Sequence, residues 1–318
     1  MKIVVLDGYT LNPGDLSWDG LRMLGDLTVY DRTPREQIIE RSGEADIILT
    51  NKTVLDAAVL KSLSHLKYIG VLATGYNAVD TETARQMGII VTNIPTYGTY
   101  SVAQLTFALI LELCHHVQRQ SDLVVNGKWS RSMDFTFSDY PLIELASKTL
   151  GIIGFGNIGK KVSEIASAFG MKILAYDKAF QVQPDPDNVN VVSLPVLLSD
   201  SDIVTLHCPL TEETAGLINI DSLKMMKQTA FLINTSRGQI IIEKDLAEAL
   251  DEGIISGAGL DVLSVEPPPF DNPLLKAKNC LITPHIAWAT HESRSRLMNI
   301  AVDNIKAFLA GSPVNIVN

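Results

Sequence analysis

The feature that most constrains this chain is a glycine-rich turn set between an apolar strand and an amphipathic helix. Leu150-Gly151-Ile152-Ile153 is short and apolar, and Gly154-Phe155-Gly156-Asn157-Ile158-Gly159 follows it directly. Ile158, Val162, Ile165, Ala166 and Phe169 then recur at helical spacing up to Gly170, and the next apolar run ends in Tyr176-Asp177. Each part of this pattern has a physical task. Gly154 permits the tight bend, Gly156 lets backbone amides approach a pyrophosphate, and Gly159 allows the helix to lie close on the strand. Phe155, Asn157 and Ile158 complete the turn at the helix N-terminus, where unpaired N–H groups and partial positive charge favour a phosphate. Asp177, about 20 residues beyond the turn, accepts hydrogen bonds from ribose hydroxyls and repels a 2′-phosphate. The pattern therefore predicts NAD(H) in preference to NADP(H), and Lys178 directly after the acid tempers that preference.

The remainder of the chain alternates in the same way. At 318 residues it exceeds what one core usually fills, which predicts two domains. Early on, residues 3–6, 29–30, 47–50, 68–72 and 89–92 read as strands, with helical patterns over 53–63 and 79–87. A second alternation starts at Leu150, with strands over 150–154, 172–176, 203–207, 230–234, 257–262 and 280–283 and helices over 158–169, 220–226 and 244–250. Six parallel-type strands make a full dinucleotide-binding sheet. Between the two series, Ser101 and Gln104 have the spacing of a capping box and open a helix expected to reach about Val125 and to close near Gly127. Residues 128–141 show no clear period. A last amphipathic helix is expected over 291–309, with Leu297, Ile300, Ala301, Ile305 and Phe308 on one face. The fold class is α/β, with two doubly wound parallel-sheet domains.

Bulk properties narrow the partners. A formal net charge of −10 argues against nucleic acid and anionic membranes. The longest apolar stretch, residues 105–111, falls far short of the roughly 18 residues a membrane span needs. The run after Met1 reads as a first strand rather than a leader. Cys114, Cys208 and Cys280 lie far apart and form neither a metal-type pair nor an even disulfide framework. A reducing cytoplasm and no metal are expected.

Ligands of open α/β sheets gather beyond the carboxyl ends of the strands, so polar residues there are candidates. Arg237, after 231–234, carries the planar fork that binds a carboxylate through two hydrogen bonds; a surface or helix-cap arginine is the plainer alternative. Glu266, after 260–262, precedes Pro267-Pro268-Pro269, which stiffen its loop; the alternative is a solvated loop charge. His285, just past 281–284, is placed to move a proton near neutral pH, against the alternative of a satisfied structural histidine. His207, in His207-Cys208-Pro209, ends a strand and borders the cofactor turn. His115 and His116, adjacent on one helix, point to different faces and do not share a metal ion, while His65 and His291 read as surface residues.

Taken together these blocks resemble the D-isomer-specific 2-hydroxyacid dehydrogenase family over nearly the whole chain. The resemblance rests on 150–177, on Asn234-Thr235-Ser236-Arg237-Gly238, on Gly259-Leu260-Asp261-Val262 with Glu266-Pro267, and on Thr283-Pro284-His285-Ile286-Ala287, in that order. It implies a discontinuous flavodoxin-like substrate domain, 1–99 with 288–318, and a Rossmann NAD-binding domain, 100–287, with the active site in the cleft. Hinges are implied near 97–101 and 286–290. It implies His285 as the general acid, Glu266 as its carboxylate partner, and Arg237 as the group that binds the substrate carboxylate and polarises its carbonyl. Thr74, Gly75 and Tyr76 look like the loop whose amides hold the same carboxylate. Thr235, Ser236, Asp261, His207, Cys208 and Pro209 are assigned to the cofactor side. A homodimer built on the helix after Ser101 and the arm beyond it is implied as well.

Within the family, 97–104 and 285–292 look like glycerate dehydrogenases (hydroxypyruvate reductases), with Trp288 walling the pocket. No regulatory extension like that of long phosphoglycerate dehydrogenases is expected after Asn318. Formate dehydrogenases of the superfamily carry Gln where this chain has Glu266. Two alternatives stand beside this reading: a relative acting on glyoxylate or another 2-keto acid, and an NAD-sensing, corepressor-like binding protein.

Overall fold

Apolar runs without alternation become strands buried along most of their length, as parallel sheets covered on both faces require. The structure is a computed structural model and describes residues 1–178 and 189–318. Its strands, in chain order, are β1 (Lys2–Val5), β2 (Asp26–Val29), β3 (Ile47–Thr50), β4 (Tyr68–Val71), β5 (Ile90–Thr92), β6 (Thr149–Ile153), β7 (Lys172–Tyr176), β8 (Val189–Val191), β9 (Ile203–Leu206), β10 (Phe231–Asn234), β11 (Gly257–Leu260) and β12 (Cys280–Ile282). They fall in two units, one formed by Met1–Gly98 with Ala289–Asn318 and the other by Thr99–Trp288.

The first unit holds a five-stranded sheet ordered β2-β1-β3-β4-β5, parallel throughout. This is the flavodoxin-like order. Two of its helices, Ala57–Lys61 and Thr81–Gln86, start on aspartates: Asp56 accepts from the Val59 amide at 3.0 Å and Asp80 from the Thr83 amide at 2.9 Å. The C-terminal helix His291–Leu309 belongs to this unit and is capped by Thr290. It carries Arg294, buried but fully engaged. The guanidinium pairs with both oxygens of Asp15 at 2.7 and 2.6 Å and gives a third bond to the Leu11 carbonyl at 2.9 Å. The pairing holds the Asp15 carboxyl below the usual carboxylate range.

The second unit holds a seven-stranded sheet ordered β12-β11-β10-β9-β6-β7-β8, again parallel. Connectivity reverses at β6, which lies between β7 and β9. The glycine turn leaves β6 and His207 follows β9, so both stand at the switch point where such sheets bind ligands. Strand β10 shows the two-sided burial. Leu232 packs with Leu206 and Leu260 on one face, and Phe231 and Ile233 pack with Phe107, Leu109 and Ile110 on the other.

Several expectations change. The helix expected from Ser101 to about Val125 is two helices, Thr99–His115 and Val117–Val125. His116 between them has left-handed backbone (φ 50°). Tertiary contacts account for the break. The Cys114 carbonyl accepts from the Ile143 amide at 3.1 Å, and the His116 ring lies 4.9 Å from that of Tyr140. Ser101 is not a cap, because it lies inside the first helix and its hydroxyl donates to the Ala287 carbonyl. Gly127 does close the second helix, with φ 79°. The second sheet has seven strands rather than six, since β8 is three residues long and offers no period to read. Among the described residues, no helix is long and apolar enough to cross a membrane.

Because both faces of β10 are covered, Leu232→Ala and Ile233→Ala should each lower stability by about 2–5 kcal/mol. Chemical denaturation of the two variants checks this. A near-neutral result at either position would mean that one face of the strand is solvated.

Candidate active site

Strands β10, β11 and β12 end in step. Asn234 pairs with Leu260, and Leu260 with Ile282. The segments leaving these ends carry Arg237, Glu266 and His285, so the sheet register brings the three to one edge of the second unit.

His285 and Glu266 meet directly, with 2.6 Å between Nδ1 and Oε2. Their side chains stay 27% and 35% exposed, open to a ligand yet partly desolvated. With Nδ1 engaged, Nε2 is the ring nitrogen left to face a substrate. The histidine backbone is left-handed, φ 54°, a conformation that costs a non-glycine residue roughly 1–2 kcal/mol. Asp261 offsets that strain. Its carbonyl accepts from the His285 amide at 2.8 Å. Its carboxylate accepts from the Thr283 hydroxyl at 2.6 Å and the Ile286 and Ala287 amides at 2.9 and 2.8 Å. Burial pushes the Asp261 carboxyl above the usual carboxylate range, and these three bonds act in the opposite direction. A residue assigned to the cofactor side by resemblance thus braces the histidine loop.

Arg237 leaves β10 in extended conformation. Buried Asn234 shapes the turn before it: Oδ1 accepts from the amide and the hydroxyl of Ser236, both at 3.0 Å, and Nδ2 donates to the Arg237 carbonyl at 2.9 Å. Thr235 is buried against Thr106, with 3.2 Å between hydroxyls. After Arg237, Gly238 lies against the Glu266 loop itself. A Cβ there would fall 1.9 Å from the carbonyl carbon of Leu263. No side chain fits, so the Arg237 and Glu266 segments are in backbone contact.

At the glycine turn, Gly154 has φ 94°, and a Cβ on it would meet the Cys208 amide nitrogen at 2.4 Å. A Cβ on Gly159 would meet the Gly154 carbonyl oxygen at 2.3 Å, so the helix rests on the turn. Gly156 is different: nothing lies within 4 Å of its would-be Cβ, and it heads helix Asn157–Ala168 with no side-chain cap. Open space above uncapped amides is what a pyrophosphate requires. Asp177 takes the Phe155 amide on Oδ2 at 2.7 Å, which locks the acid to the turn. Lys178 is paired with Glu213 at 2.7 Å.

Comparison with known proteins agrees with this geometry. Residues 107–287 match the model of the D-isomer specific 2-hydroxyacid dehydrogenase, NAD binding domain. A hydroxypyruvate reductase of Blautia hydrogenotrophica is 54% identical, with all of both chains covered. A glycerate dehydrogenase of Methylorubrum extorquens is 42% identical over 99% of this chain and 98% of its own. Among solved structures, D-lactate dehydrogenase of Aquifex aeolicus, complexed with NAD and lactic acid, superposes with a TM-score of 0.83 at 32% identity, covering 98% of this chain and 96% of that one. The chain belongs to the D-isomer-specific 2-hydroxyacid dehydrogenase family.

As a family member it is an NAD-dependent oxidoreductase, and the second unit contains its NAD-binding domain. The turn fits that cofactor: cradled at Gly154 and Gly159, open at Gly156, acidic at Asp177. His207 borders it through backbone, while its ring turns inward, with Nε2 2.9 Å from the Thr205 hydroxyl and Nδ1 buried without a partner. Burial drops its pKa to about 3, so the ring stays neutral. Burial pushes the Cys208 thiol up to about 11, and Pro209 is exposed. Trp288 is half-buried at the end of this unit. Thr74, Gly75 and Tyr76 lie in the first unit after β4. Thr74 is tied to the segment after β5 by its hydroxyl on the Ile94 carbonyl at 2.9 Å and by Asn93 on its own carbonyl at 2.7 Å.

Sequence reasoning missed Asn234 and the bracing role of Asp261. Asn234 carries a readable signal, an amide directly before a Thr-Ser turn. Asp261 carries none, since its partners are more than twenty residues downstream.

Proposed function

We propose that this dehydrogenase reduces hydroxypyruvate to D-glycerate with NADH, using His285, Glu266 and Arg237. The observation that carries the reading is the 2.6 Å His285–Glu266 pair, set on the strand edge that also bears Arg237. The names of the two full-length relatives support the choice of substrate.

Gly154–Gly159 would hold NADH, with Asp177 toward the ribose and Thr235, Ser236 and the His207–Pro209 backbone beside it, and the cofactor would supply the hydride taken up at C2 of the keto acid. The residues of the chain do the rest. Arg237 holds the substrate carboxylate through two parallel hydrogen bonds and draws charge from the carbonyl. By family resemblance the amides of Thr74, Gly75 and Tyr76 in the first unit are assigned to carboxylate binding, and Trp288 is assigned to the pocket wall. His285 delivers a proton from Nε2 to the carbonyl oxygen and becomes neutral; solvent restores the proton. Glu266, on Nδ1, fixes the ring orientation and is opposite in charge to the imidazolium.

Spectrophotometric NADH oxidation with hydroxypyruvate, glyoxylate and pyruvate tests the proposal, with hydroxypyruvate expected to give the highest kcat/KM. Preference for glyoxylate would move the assignment to that acid. No turnover with any of them would leave an NAD-binding protein without this activity. His285→Ala should bind NADH normally and lose roughly 10²–10⁴ in turnover. Asp177→Ala should raise the NADPH:NADH ratio of kcat/KM about tenfold, the factor that ~1.4 kcal/mol of relieved repulsion gives; an unmodified enzyme already preferring NADPH would sink that role.

A homodimer in the cytoplasm completes the reading. Val125, Met133 and Phe135, on the second helix and its following arm, are 82%, 101% and 89% exposed, an apolar display that a second copy would cover. Cys114, Cys208 and Cys280 are unpaired, as a reducing compartment allows, and cell fractionation checks that location. Light scattering should report a dimer and Phe135→Glu should shift it toward monomer; an unmodified protein that stays monomeric would end the dimer assignment.

A further inference from the structure

The loop that carries Glu266 has few apolar contacts to hold it. Val265 and Phe270 within it are exposed. Polar bonds hold it instead, and they come from the segment just after Arg237. Glu243, first residue of helix Glu243–Asp251, accepts the Ser264 amide on Oε1 at 2.5 Å. Its Oε2 accepts from the amide group of Asn272, a buried residue, at 2.8 Å. One carboxylate thus ties both ends of the 264–272 loop. Gln239 donates to the Ser264 carbonyl at 2.8 Å, so both backbone polar groups of Ser264 are engaged. The neighbouring Leu263 amide donates to Glu266 Oε1 at 3.1 Å, while Glu266 Oε2 meets His285.

We propose that Glu243 and Gln239 clamp Ser264 and thereby position Glu266 against His285, which makes them positioning residues for the reduction. The inference rests on the function proposed above. The chain of contacts runs from the clamp to Ser264, along the backbone to Leu263, to one oxygen of Glu266, and through the other to the imidazole. Gly238 lies on the backbone of Leu263 and Ser264, where no side chain fits, so the clamp acts on segments already in close contact. Displacement of a catalytic group by about 1 Å can cost about 10² in rate. A released loop would therefore reduce proton delivery and leave cofactor binding untouched.

Glu243→Gln keeps one acceptor and loses the second together with the charge. In the intact enzyme it should lower kcat for hydroxypyruvate about tenfold, with KM and NADH affinity little changed. Its pH profile of kcat should resemble that of Glu266→Gln more than that of the unmodified enzyme, because both lose the same His285–Glu266 contact. In the Glu266→Gln background, Glu243→Gln should cost almost nothing further, because its effect passes through the missing carboxylate. Gln239→Ala, at an exposed position compatible with folding, should give a smaller fall of about threefold with the same direction of pH shift. The clamp is overturned by wild-type kcat and pH profile in both single variants. It is equally overturned by a Glu243→Gln loss that is the same with and without Glu266. If Glu243→Gln does not fold, Gln239→Ala decides alone. Turnover by the unmodified enzyme with unchanged variants removes the clamp only, whereas no turnover by the unmodified enzyme removes the functional reading and the clamp with it.

Discussion

Three neighbouring strands that end at the same level set the terms for the whole site. Because β10, β11 and β12 are parallel and in register, the segments leaving them start from one edge. A sheet edge alone places residues only to within the freedom of their loops. Backbone contact narrows that freedom here: Gly238 admits no side chain because Leu263 lies against it. The guanidinium segment and the carboxylate segment therefore meet backbone to backbone, and the side-chain bonds of Glu243 and Gln239 add to that contact.

Buried polar groups do the remaining positioning. Asp261 is nearly inaccessible and has a raised pKa, so its burial costs stability wherever it is ionised. What that cost secures is the turn at His285, whose left-handed backbone would otherwise relax toward a commoner conformation. Asn234 does the same for Arg237 with an uncharged side chain. In both cases the residue proposed to meet the ligand is half-buried, and the residue that aims it lies inside.

Much of this was legible in the sequence, for a physical reason. The glycine turn demands residue types that few other structures need in that order, and its strand, helix and acid confirm one another within a short span. Strands buried on both faces announce themselves as unbroken apolar runs, such as Ile47–Leu49 and Phe231–Ile233. The break at His116 was not legible, since the local pattern is helical throughout and the cause is a tertiary contact with Tyr140. β8 is too short to carry a period. Glu243 looks like an ordinary acid in a first helical turn, favourable there whatever it touches. Its partners lie 21 and 29 residues away and appear only in three dimensions.

Cofactor choice illustrates how a local reading changes once partners are known. Lys178, next to Asp177, looks in sequence like a cation available to a 2′-phosphate. In the structure its ammonium is engaged by Glu213, and Asp177 is locked to the Phe155 amide. An exposed ion pair of this kind is worth only about 0–1 kcal/mol, so it does not by itself exclude NADPH. It does neutralise the nearest positive charge while the fixed carboxylate keeps its own. On the proposed placement of the dinucleotide, the balance beside Asp177 is therefore more negative than the sequence pair Asp177-Lys178 suggests, which is the basis of the expected preference for NADH.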